Sequence, residues 1–313
     1  MKILVTGCAG FIGSHLTERL LEKNQIIGID CFSDYYPREI KESNMSGFIK
    51  NPNFQFIEED ILKADLNNIL SQVDVVYHIA AQAGVRASWG ENFKIYTDND
   101  ILATQRLLEA SKNKNLKKFV YSSSSSIYGD VKSLPMKESD MPNPISPYGV
   151  SKLAGEHLCN LYYKNFGIPT ISLRYFTVYG PRQRPDMAFN KFVNAIESGK
   201  EITVYGDGKQ TRDFTFISDI IDGTIKAGES DVNGEVFNLA GGSRISVLEV
   251  ISILEELTSK KAKVKHIEDQ KGDVRDTYAD TSKSEKMLGY NPRVNTRDGL
   301  KMYVEWLKTR YYA

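Results

Sequence analysis

Short apolar runs alternate with amphipathic stretches through the first half of the chain. Six runs have the length and continuous apolar character of strands buried on both faces of a sheet; these are Ile3–Thr6, Ile26–Asp30, Phe54–Ile57, Val73–Ile79, Lys118–Ser122 and Thr170–Arg174. The intervening stretches with helical spacing are Gly13–Lys23, Tyr96–Lys112 and Pro147–Asn165. This order predicts βαβ units and an α/β fold with a doubly wound parallel sheet of the Rossmann type.

The alternation becomes less regular after Arg174. Helical spacing continues at Phe189–Ser198, Ser218–Gly228, Val247–Leu257 and Thr296–Lys308. Short strands are expected near Ile202–Val204 and Val236–Asn238. We therefore expect a Rossmann-type domain over residues 1–180 and a smaller C-terminal substrate-binding lobe over residues 181–313, with segments that can interleave across the boundary.

Charge and cysteine content exclude several classes of protein. The 313 residues carry 40 basic and 40 acidic side chains, so no overall field attracts nucleic acid or an anionic membrane. Cys8, Cys31 and Cys159 lie far apart and give neither a disulfide framework nor a metal-binding pattern. No apolar run has membrane-spanning length, and the N-terminus runs into a strand without a signal peptide's apolar stretch. We expect a cytoplasmic protein with neither a membrane nor a nucleic-acid partner.

A glycine-rich turn follows the first predicted strand and opens the first helix. Gly7, Gly10 and Gly13 are spaced G-x-x-G-x-x-G. Such a turn lets backbone N–H groups approach a pyrophosphate at the helix N-terminus, where the helix dipole favours an anion. The motif predicts a dinucleotide site, although an ordinary tight strand–helix turn can have the same spacing.

Asp30 strengthens the dinucleotide prediction and indicates which dinucleotide binds. It ends the second predicted strand, where a carboxylate can hold both hydroxyls of a ribose and repel a 2′-phosphate. The first arginine after it is Arg38. The sequence therefore predicts NAD rather than NADP; the alternative is an Asp that only caps a turn.

Tyr148 and Lys152 provide the chemistry beside this site. Residues four apart share one face of a helix, so the ammonium can support ionisation of the phenol, whose pKa of about 10 otherwise disfavours it as a base. A surface helix can carry the same pair by chance. Position favours function, because the pair follows a strand that ends in the serine run Ser122–Ser126, at the sheet edge where ligands bind.

With these motifs in order, the chain resembles the extended short-chain dehydrogenase/reductase family, and within it the nucleotide-sugar 4-epimerases. The resemblance runs essentially from end to end. The matching segments are Thr6–Gly13, Asp60-Ile61, His78–Ala83, Ser122–Gly129, Tyr148–Lys152 and Arg174-Tyr175-Phe176.

The resemblance implies a role for each of three groups of residues. Ser124, Tyr148 and Lys152 would be catalytic. The residues that would contact NAD are Gly7, Gly10, Phe11, Ile12, Gly13, Asp30, Asp60, Ile61, Ala80, Ala81, Ala83, Ser122, Tyr148, Lys152 and Tyr175. Those that would hold the sugar nucleotide, besides Ser124, include Arg212 and Arg275 on the diphosphate, Asp273 on the uridine ribose and Tyr205 near the uracil.

The segments around the sugar favour UDP-glucuronate as substrate. Related dehydratases carry an Asp and a Glu after the catalytic hydroxyl residue, and UDP-xylose synthases keep a Glu there; this chain has Ser125 and Ser126. Its Arg174–Met187 segment looks like that of UDP-glucuronate 4-epimerases rather than galactose epimerases, which usually read R-Y-F-N-P. Hydroxyls of Ser125, Ser126 and Thr177 could bind the sugar carboxylate, with charge from Arg184 and Arg86.

We therefore expect NAD-dependent 4-epimerisation of UDP-glucuronate to UDP-galacturonate through a transient 4-keto sugar. One alternative is an epimerase for UDP-glucose or UDP-N-acetylglucosamine. Others are a non-catalytic NAD sensor of the same fold and an oxidoreductase that releases NADH. The family also implies a homodimer formed through helices such as Tyr96–Lys112 and Pro147–Asn165.

Overall fold

The computed structural model describes residues 1–131, 133–268, 270 and 272–311. Its strands, numbered in chain order, are β1 Lys2–Thr6, β2 Gln25–Asp30, β3 Phe54–Glu58, β4 Val75–His78, β5 Lys118–Ser124, β6 Thr170–Tyr175, β7 Val178–Tyr179, β8 Glu201–Tyr205, β9 Thr211–Asp213, β10 Thr215–Phe216, β11 Glu235–Leu239, β12 Arg244–Ser246 and β13 Lys263–Ile267. All six strands predicted for the first half of the chain are present, with ends displaced by at most a few residues.

The helices cover every predicted helical stretch and add several shorter elements. They are α1 Phe11–Leu20, α2 Arg38–Met45, α3 Leu66–Leu70, α4 Phe93–Tyr96, α5 Ala103–Ser111, α6 Pro147–Phe166, α7 Ala188–Ser198, α8 Ile217–Glu229, α9 Val247–Thr258, α10 Ser282–Leu288 and α11 Thr296–Tyr311. A π-helical turn, Thr97–Leu102, separates α4 from α5, so the predicted helix Tyr96–Lys112 is not one continuous α-helix. No helix in the described ranges is long and apolar enough to cross a membrane.

Within the described residues, a seven-stranded parallel sheet runs in the order β11-β6-β5-β4-β1-β2-β3. The order reverses at β1, which lies between β2 and β4. Such a reversal opens a crevice at the carboxyl ends of the two central strands, where open α/β sheets bind ligands. The predicted doubly wound α/β fold is confirmed.

Alternate residues of the central strands enter two different hydrophobic cores. Val5 and Val120 belong to the core beneath α1, α7, α8, α9 and α11. Leu4 and Phe119, their neighbours in sequence, belong to the core beneath α3, α5 and α6. Successive strand residues point to opposite faces, so a sheet covered on both faces needs continuous apolar strands. This explains the uninterrupted apolar runs in the sequence.

One predicted strand lies in an unexpected place. Val236–Asn238 was expected in the smaller lobe, but β11 pairs with β6 at the edge of the central sheet, with Asn238 opposite Arg174. A segment of the chain after residue 180 thus forms the edge strand of the central sheet. The other late strands form three two-stranded ribbons, β7 with β10, β8 with β13 and β9 with β12. A division into 1–180 and 181–313 remains a prediction.

A buried histidine joins the two central strands at their carboxyl ends. His78 Nδ1 lies 2.8 Å from Thr6 Oγ1, and Nε2 lies 3.0 Å from Thr104 Oγ1. Because the Thr104 hydroxyl donates to the Asp100 carbonyl, Nε2 carries the hydrogen and Nδ1 accepts from Thr6. Thr6 Oγ1 in turn accepts from the backbone N–H groups of Ile79 and Ala80, each at 3.1 Å.

Burial, with the charge of Lys152, lowers the pKa of His78 to about 3. An unfolded histidine takes up a proton near pH 6.5, which folded His78 cannot do until far lower pH. The free energy of unfolding should therefore fall as pH drops below about 6.5, by up to about 1.4 kcal/mol per pH unit from this residue. His78→Gln should lose that part of the dependence in urea unfolding measured from pH 7 to pH 4.

His157 on the exposed side of α6 gives the control for this measurement. His157→Gln should show the wild-type slope of unfolding free energy against pH. If His78→Gln also keeps the wild-type slope, the folded protein protonates His78 at ordinary pH and the assignment of a neutral, buried imidazole is wrong.

Candidate functional site

A cavity of about 370 Å³ lies at the carboxyl ends of the central strands. Every residue predicted to contact the cofactor lines it, from Gly7 to Tyr175. Of the residues predicted to hold the sugar, those that also line it are Ser124, Ser125, Ser126, Thr177 and Arg184. The predicted cofactor and catalytic groups therefore share one enclosure.

A second, larger cavity of about 590 Å³ lies at the sheet edge between α6, β6 and β11. Four of its charged groups form ion pairs with one another. Arg174 donates twice to Glu156 at 2.9 Å, and Lys283 Nζ contacts Glu235 at 2.8 Å. We assign the chemistry to the smaller cavity, because it is lined by Tyr148 and the glycine-rich turn.

The glycine-rich turn packs too closely for side chains. Gly7 has φ of +70°, and a Cβ there would lie 2.9 Å from Ala80 Cα. A Cβ on Gly13 would lie 2.0 Å from the Gly7 carbonyl oxygen. Gly10 precedes α1 without a side chain to occupy the N–H groups of the first helical turn. Backbone N–H groups at a helix N-terminus can hold an anion, so the turn fits a dinucleotide pyrophosphate.

Asp30 closes the other side of the cofactor end. Its carboxylate accepts from the backbone N–H groups of Ala9 at 3.1 Å and Phe32 at 2.9 Å, and burial raises its pKa. Lys41, which the sequence reasoning missed, lies nearby and donates to the Ser33 carbonyl at 2.6 Å. The ammonium offsets part of the Asp30 charge, so this pocket holds both an acceptor for ribose hydroxyls and a cation.

Tyr148 lies in the first turn of the helix that carries the proton-transfer pair. Ser146 caps this helix by accepting from Gly149 N at 3.1 Å, and Pro147 occupies the first turn. Burial and the Asp100 charge raise the pKa of Tyr148 to about 12, against the opposing effects of the Ser124 hydroxyl and the charge of Arg184. Ser124 and Tyr148 both line the cavity, and a hydrogen bond between them stays a prediction.

Lys152 is buried on the same helix, one turn after Tyr148. Its ammonium lies 4.7 Å from the centre of the Tyr121 ring, and burial lowers its pKa against the charge of Asp100. Support of the Tyr148 phenolate by Lys152 stays a prediction.

Arg184 lies at the sugar end with a fixed orientation. Its Nε and Nη2 donate to Asp186 at 2.9 and 3.0 Å, and its guanidinium lies 5.5 Å from the centre of the Tyr35 ring. The Tyr35 hydroxyl also reaches Asp186, at 3.3 Å. Nη1 takes no part in these two hydrogen bonds to Asp186. Asp186 and Tyr35 were not assigned roles from the sequence, although Asp186 stands two residues from Arg184.

The remaining predicted substrate residues form a second cluster outside the cavity lining. Arg86 donates to Asp273 at 2.6 Å and lies 3.9 Å from the centre of the Tyr205 ring. Arg212 donates to the backbone carbonyl of Arg275 at 2.9 Å. Arg86 was expected to add charge beside the sugar carboxylate; instead it pairs with Asp273 in the cluster predicted to bind the nucleotide.

Comparison with known proteins gives matches along almost the whole chain. The family model described as GDP-mannose 4,6 dehydratase matches residues 4–303. The crystal structure of UDP-glucuronic acid 4-epimerase from Bacillus cereus, in complex with UDP-glucuronic acid and NAD, has a TM-score of 0.97. It is 49% identical, over 99% of this chain and 100% of that chain.

Two relatives known by sequence bear different names. The UDP-glucuronate 4-epimerase of Thermodesulfobacterium geofontis is 41% identical, over 97% of this chain and 95% of its own length. A Bacillus subtilis protein described as an uncharacterized UDP-glucose epimerase is 46% identical, over 99% of both chains. The relatives thus agree on epimerisation, and their names differ in the sugar.

Proposed function

As its motifs predicted, the chain belongs to the extended short-chain dehydrogenase/reductase family, and we propose that it is an NAD-dependent UDP-sugar 4-epimerase that converts UDP-glucuronate to UDP-galacturonate. The observation that carries this proposal is the shared cavity. It brings Tyr148 and Ser124 together with the glycine-rich turn, Asp30 and Arg184. Those groups fit a dinucleotide, a sugar hydroxyl and a sugar carboxylate in one enclosure.

Tyr148 and Ser124 would move the proton of the sugar 4-hydroxyl. The phenolate accepts that proton directly or through Ser124 and later returns it to the same oxygen, once the 4-keto sugar has turned to present its other face. When bound, NAD⁺ supplies the acceptor for the C4 hydride and then the source from which it returns. Because hydride and proton both return, the reaction is an isomerisation without net oxidation. Lys152 would bind the nicotinamide ribose.

Arg184 and the hydroxyls around it would hold the sugar carboxylate. Ser125 and Ser126 follow β5, Thr177 follows β6, and Nη1 of Arg184 takes no part in the two hydrogen bonds to Asp186. The 4-keto form of glucuronate is a β-keto acid, which loses CO₂ when its carboxylate bond aligns with the carbonyl π system. Charge-assisted hydrogen bonds that fix the carboxylate away from this alignment would suppress the loss.

The second cluster would hold the nucleotide. Arg212 and Arg275 would clamp the diphosphate, with Asp273 on the uridine ribose and Tyr205 near the uracil. Arg275 lies 3.4 Å from Asp207, and Arg86 forms an ion pair with Asp273. Binding of the nucleotide would therefore exchange these exposed ion pairs for contacts with the ligand, which requires little free energy because exposed pairs are weak.

A homodimer and a cytoplasmic location belong to the same proposal. Apolar side chains stand exposed along the helices expected to pair. Val150 and Leu161, eleven residues apart and so on one face of α6, are 45% and 53% exposed, and Leu102 is 46% exposed. A second copy packing on this surface would bury it. Light scattering after gel filtration should give the mass of two chains.

Two alternatives remain distinct from this proposal. The name of the Bacillus subtilis relative supports a UDP-glucose epimerase, for which Arg184 would have no anionic partner on the sugar. A non-catalytic NAD sensor of the same fold would have no need for Ser124, Tyr148 and Lys152 together. Bound NAD without turnover of any UDP-sugar would favour the sensor.

Tyr148→Phe should reduce turnover by at least roughly 10²–10⁴-fold, the range for loss of a general acid–base group. NAD content should remain near wild type, because the phenol ring is kept. Tyr163→Phe, on the same helix but outside the cavity lining, is the matched control and should retain activity. Near-normal turnover in Tyr148→Phe would remove this residue from the mechanism.

Asp30 should make the protein select NAD over NADP. Cofactor released by denaturing the purified protein should be NAD(H). Asp30→Ala should weaken NAD binding and reduce the preference for NAD over NADP. The 2′-phosphate of NADP would then meet the Lys41 ammonium without a neighbouring carboxylate. Glu58→Ala, at the end of the adjacent strand, should keep the wild-type preference. Recovery of mostly NADP(H) from the wild type would contradict the assignment.

Arg184→Ala and Thr177→Ala should slow epimerisation of UDP-glucuronate more than that of UDP-glucose. Each lost charge-assisted hydrogen bond is worth about 1.5–3 kcal/mol, so the ratio of kcat/KM values should fall roughly 10- to 150-fold. The fraction of UDP-pentose formed by decarboxylation should rise as the carboxylate is released. Initial rates and product NMR measure both effects.

Arg182→Ala is the control for this experiment, because Arg182 lies in the same loop but pairs with Glu18 at 2.7 Å. It should leave the ratio of the two substrates unchanged. If the wild type prefers UDP-glucose, or if the variants lose both activities equally, the proposed carboxylate pocket is wrong. The protein would then be an epimerase for a neutral sugar.

A further inference from the structure

Asp100 is a buried carboxylate that the proposed mechanism does not use. Its side chain is 1% exposed, and it lies in the π-helical turn Thr97–Leu102. A π-helical turn contains more residues than an α-helical turn and occurs frequently at functional sites. An ionised carboxylate is costly to bury unless it is hydrogen-bonded and paired with a positive charge. We therefore expect hydrogen-bond donors and a positive charge around the Asp100 carboxylate.

The two carboxylate oxygens connect two walls of the cavity. Oδ1 accepts from the backbone N–H of Gln82 at 2.7 Å, in the segment after β4 that lines the cofactor end. Oδ2 accepts from the Ser151 hydroxyl at 2.7 Å, and that hydroxyl also lies 2.8 Å from the carbonyl oxygen of Tyr148. One side chain thus fixes the helical turn between Tyr148 and Lys152 against the cofactor segment.

The charge of Asp100 acts on titratable groups of three surrounding elements. These are Lys152 and Tyr148 of α6, Tyr96 of α4 and Tyr121 of β5. Burial lowers the pKa of Lys152, and Asp100 is the largest influence that raises it. The effect is mutual: burial raises the pKa of Asp100 to about 6, and Lys152 is the largest influence that lowers it.

We propose that Asp100 is a positioning residue that supplies the buried counter-charge for Lys152 and holds the Tyr148 turn against the cofactor segment. The functional part of this inference rests on the proposed epimerase. With Asp100 ionised, Lys152 remains an ammonium ion inside the protein and can bind a ribose. The same charge disfavours the Tyr148 phenolate, so Asp100 sets the balance between the two members of the catalytic pair.

Asp100→Asn tests the charge while keeping the shape. The amide carbonyl can accept from Gln82 N, and the amide N–H can donate to Ser151 Oγ, whose hydroxyl then donates to the Tyr148 carbonyl. Loss of the negative charge lowers the pKa of both Tyr148 and Lys152. The phenolate absorbance of Tyr148, taken as the difference from Tyr148→Phe in the same background, should shift by about one pH unit to lower pH.

The pH profile of kcat for epimerisation should move in the same direction. Ser151→Ala is the matched variant: it removes one hydrogen bond and leaves the carboxylate charge, so the Tyr148 titration should stay in place. An unchanged titration in Asp100→Asn, or an equal shift in Ser151→Ala, overturns the proposal. A shifted titration in a protein without turnover supports the charge coupling and contradicts the epimerase.

A second pair of variants applies even if Asp100→Asn does not fold. Lys152→Met leaves the Asp100 carboxylate buried without its counter-charge, whereas Asp100→Asn/Lys152→Met removes both charges. The double variant should have a higher urea midpoint than Lys152→Met. If the double variant loses as much stability as the two single variants added together, the two charges do not stabilise each other and the proposal is wrong.

Discussion

A buried chain of hydrogen bonds joins the ends of β1 and β4 to the helices beside the cavity. It runs from Thr6 through His78 and Thr104 to the carbonyl of Asp100, whose carboxylate continues to Ser151. Each link lies within the dry interior, where a hydrogen bond is strong and an unpaired polar group is costly. This series of hydrogen bonds therefore fixes the glycine-rich turn, the cofactor segment and the catalytic helix relative to one another.

The sequence predicted those parts of this arrangement that depend on local pattern. Strands buried on both faces are continuous apolar runs, and glycines are required where a Cβ on Gly13 would meet the Gly7 carbonyl. The spacing of Tyr148 and Lys152 needs only the helical repeat. Strand ends in a parallel sheet share one edge, which is why Ser124 was correctly expected beside the cavity.

Other features depend on contacts between distant parts of the chain. The π-helical turn shifts the phase of the helical repeat, so the inward direction of Asp100 could not be read from a period of 3.6 residues. Pairing of β11 with β6 joins segments about sixty residues apart, with no local signal. The direction of Arg86 toward Asp273 and of Lys152 toward Tyr121 depends likewise on tertiary packing.

The central claim is that the hydride removed from C4 returns to the same sugar. Incubation with UDP-glucuronate carrying deuterium at C4, followed by NMR of the products and absorbance of NADH, tests it most directly. The account predicts UDP-galacturonate that retains deuterium at C4, with no steady release of NADH. Loss of deuterium to solvent, accumulation of NADH in proportion to sugar consumed, or absence of any C4-inverted product would contradict it.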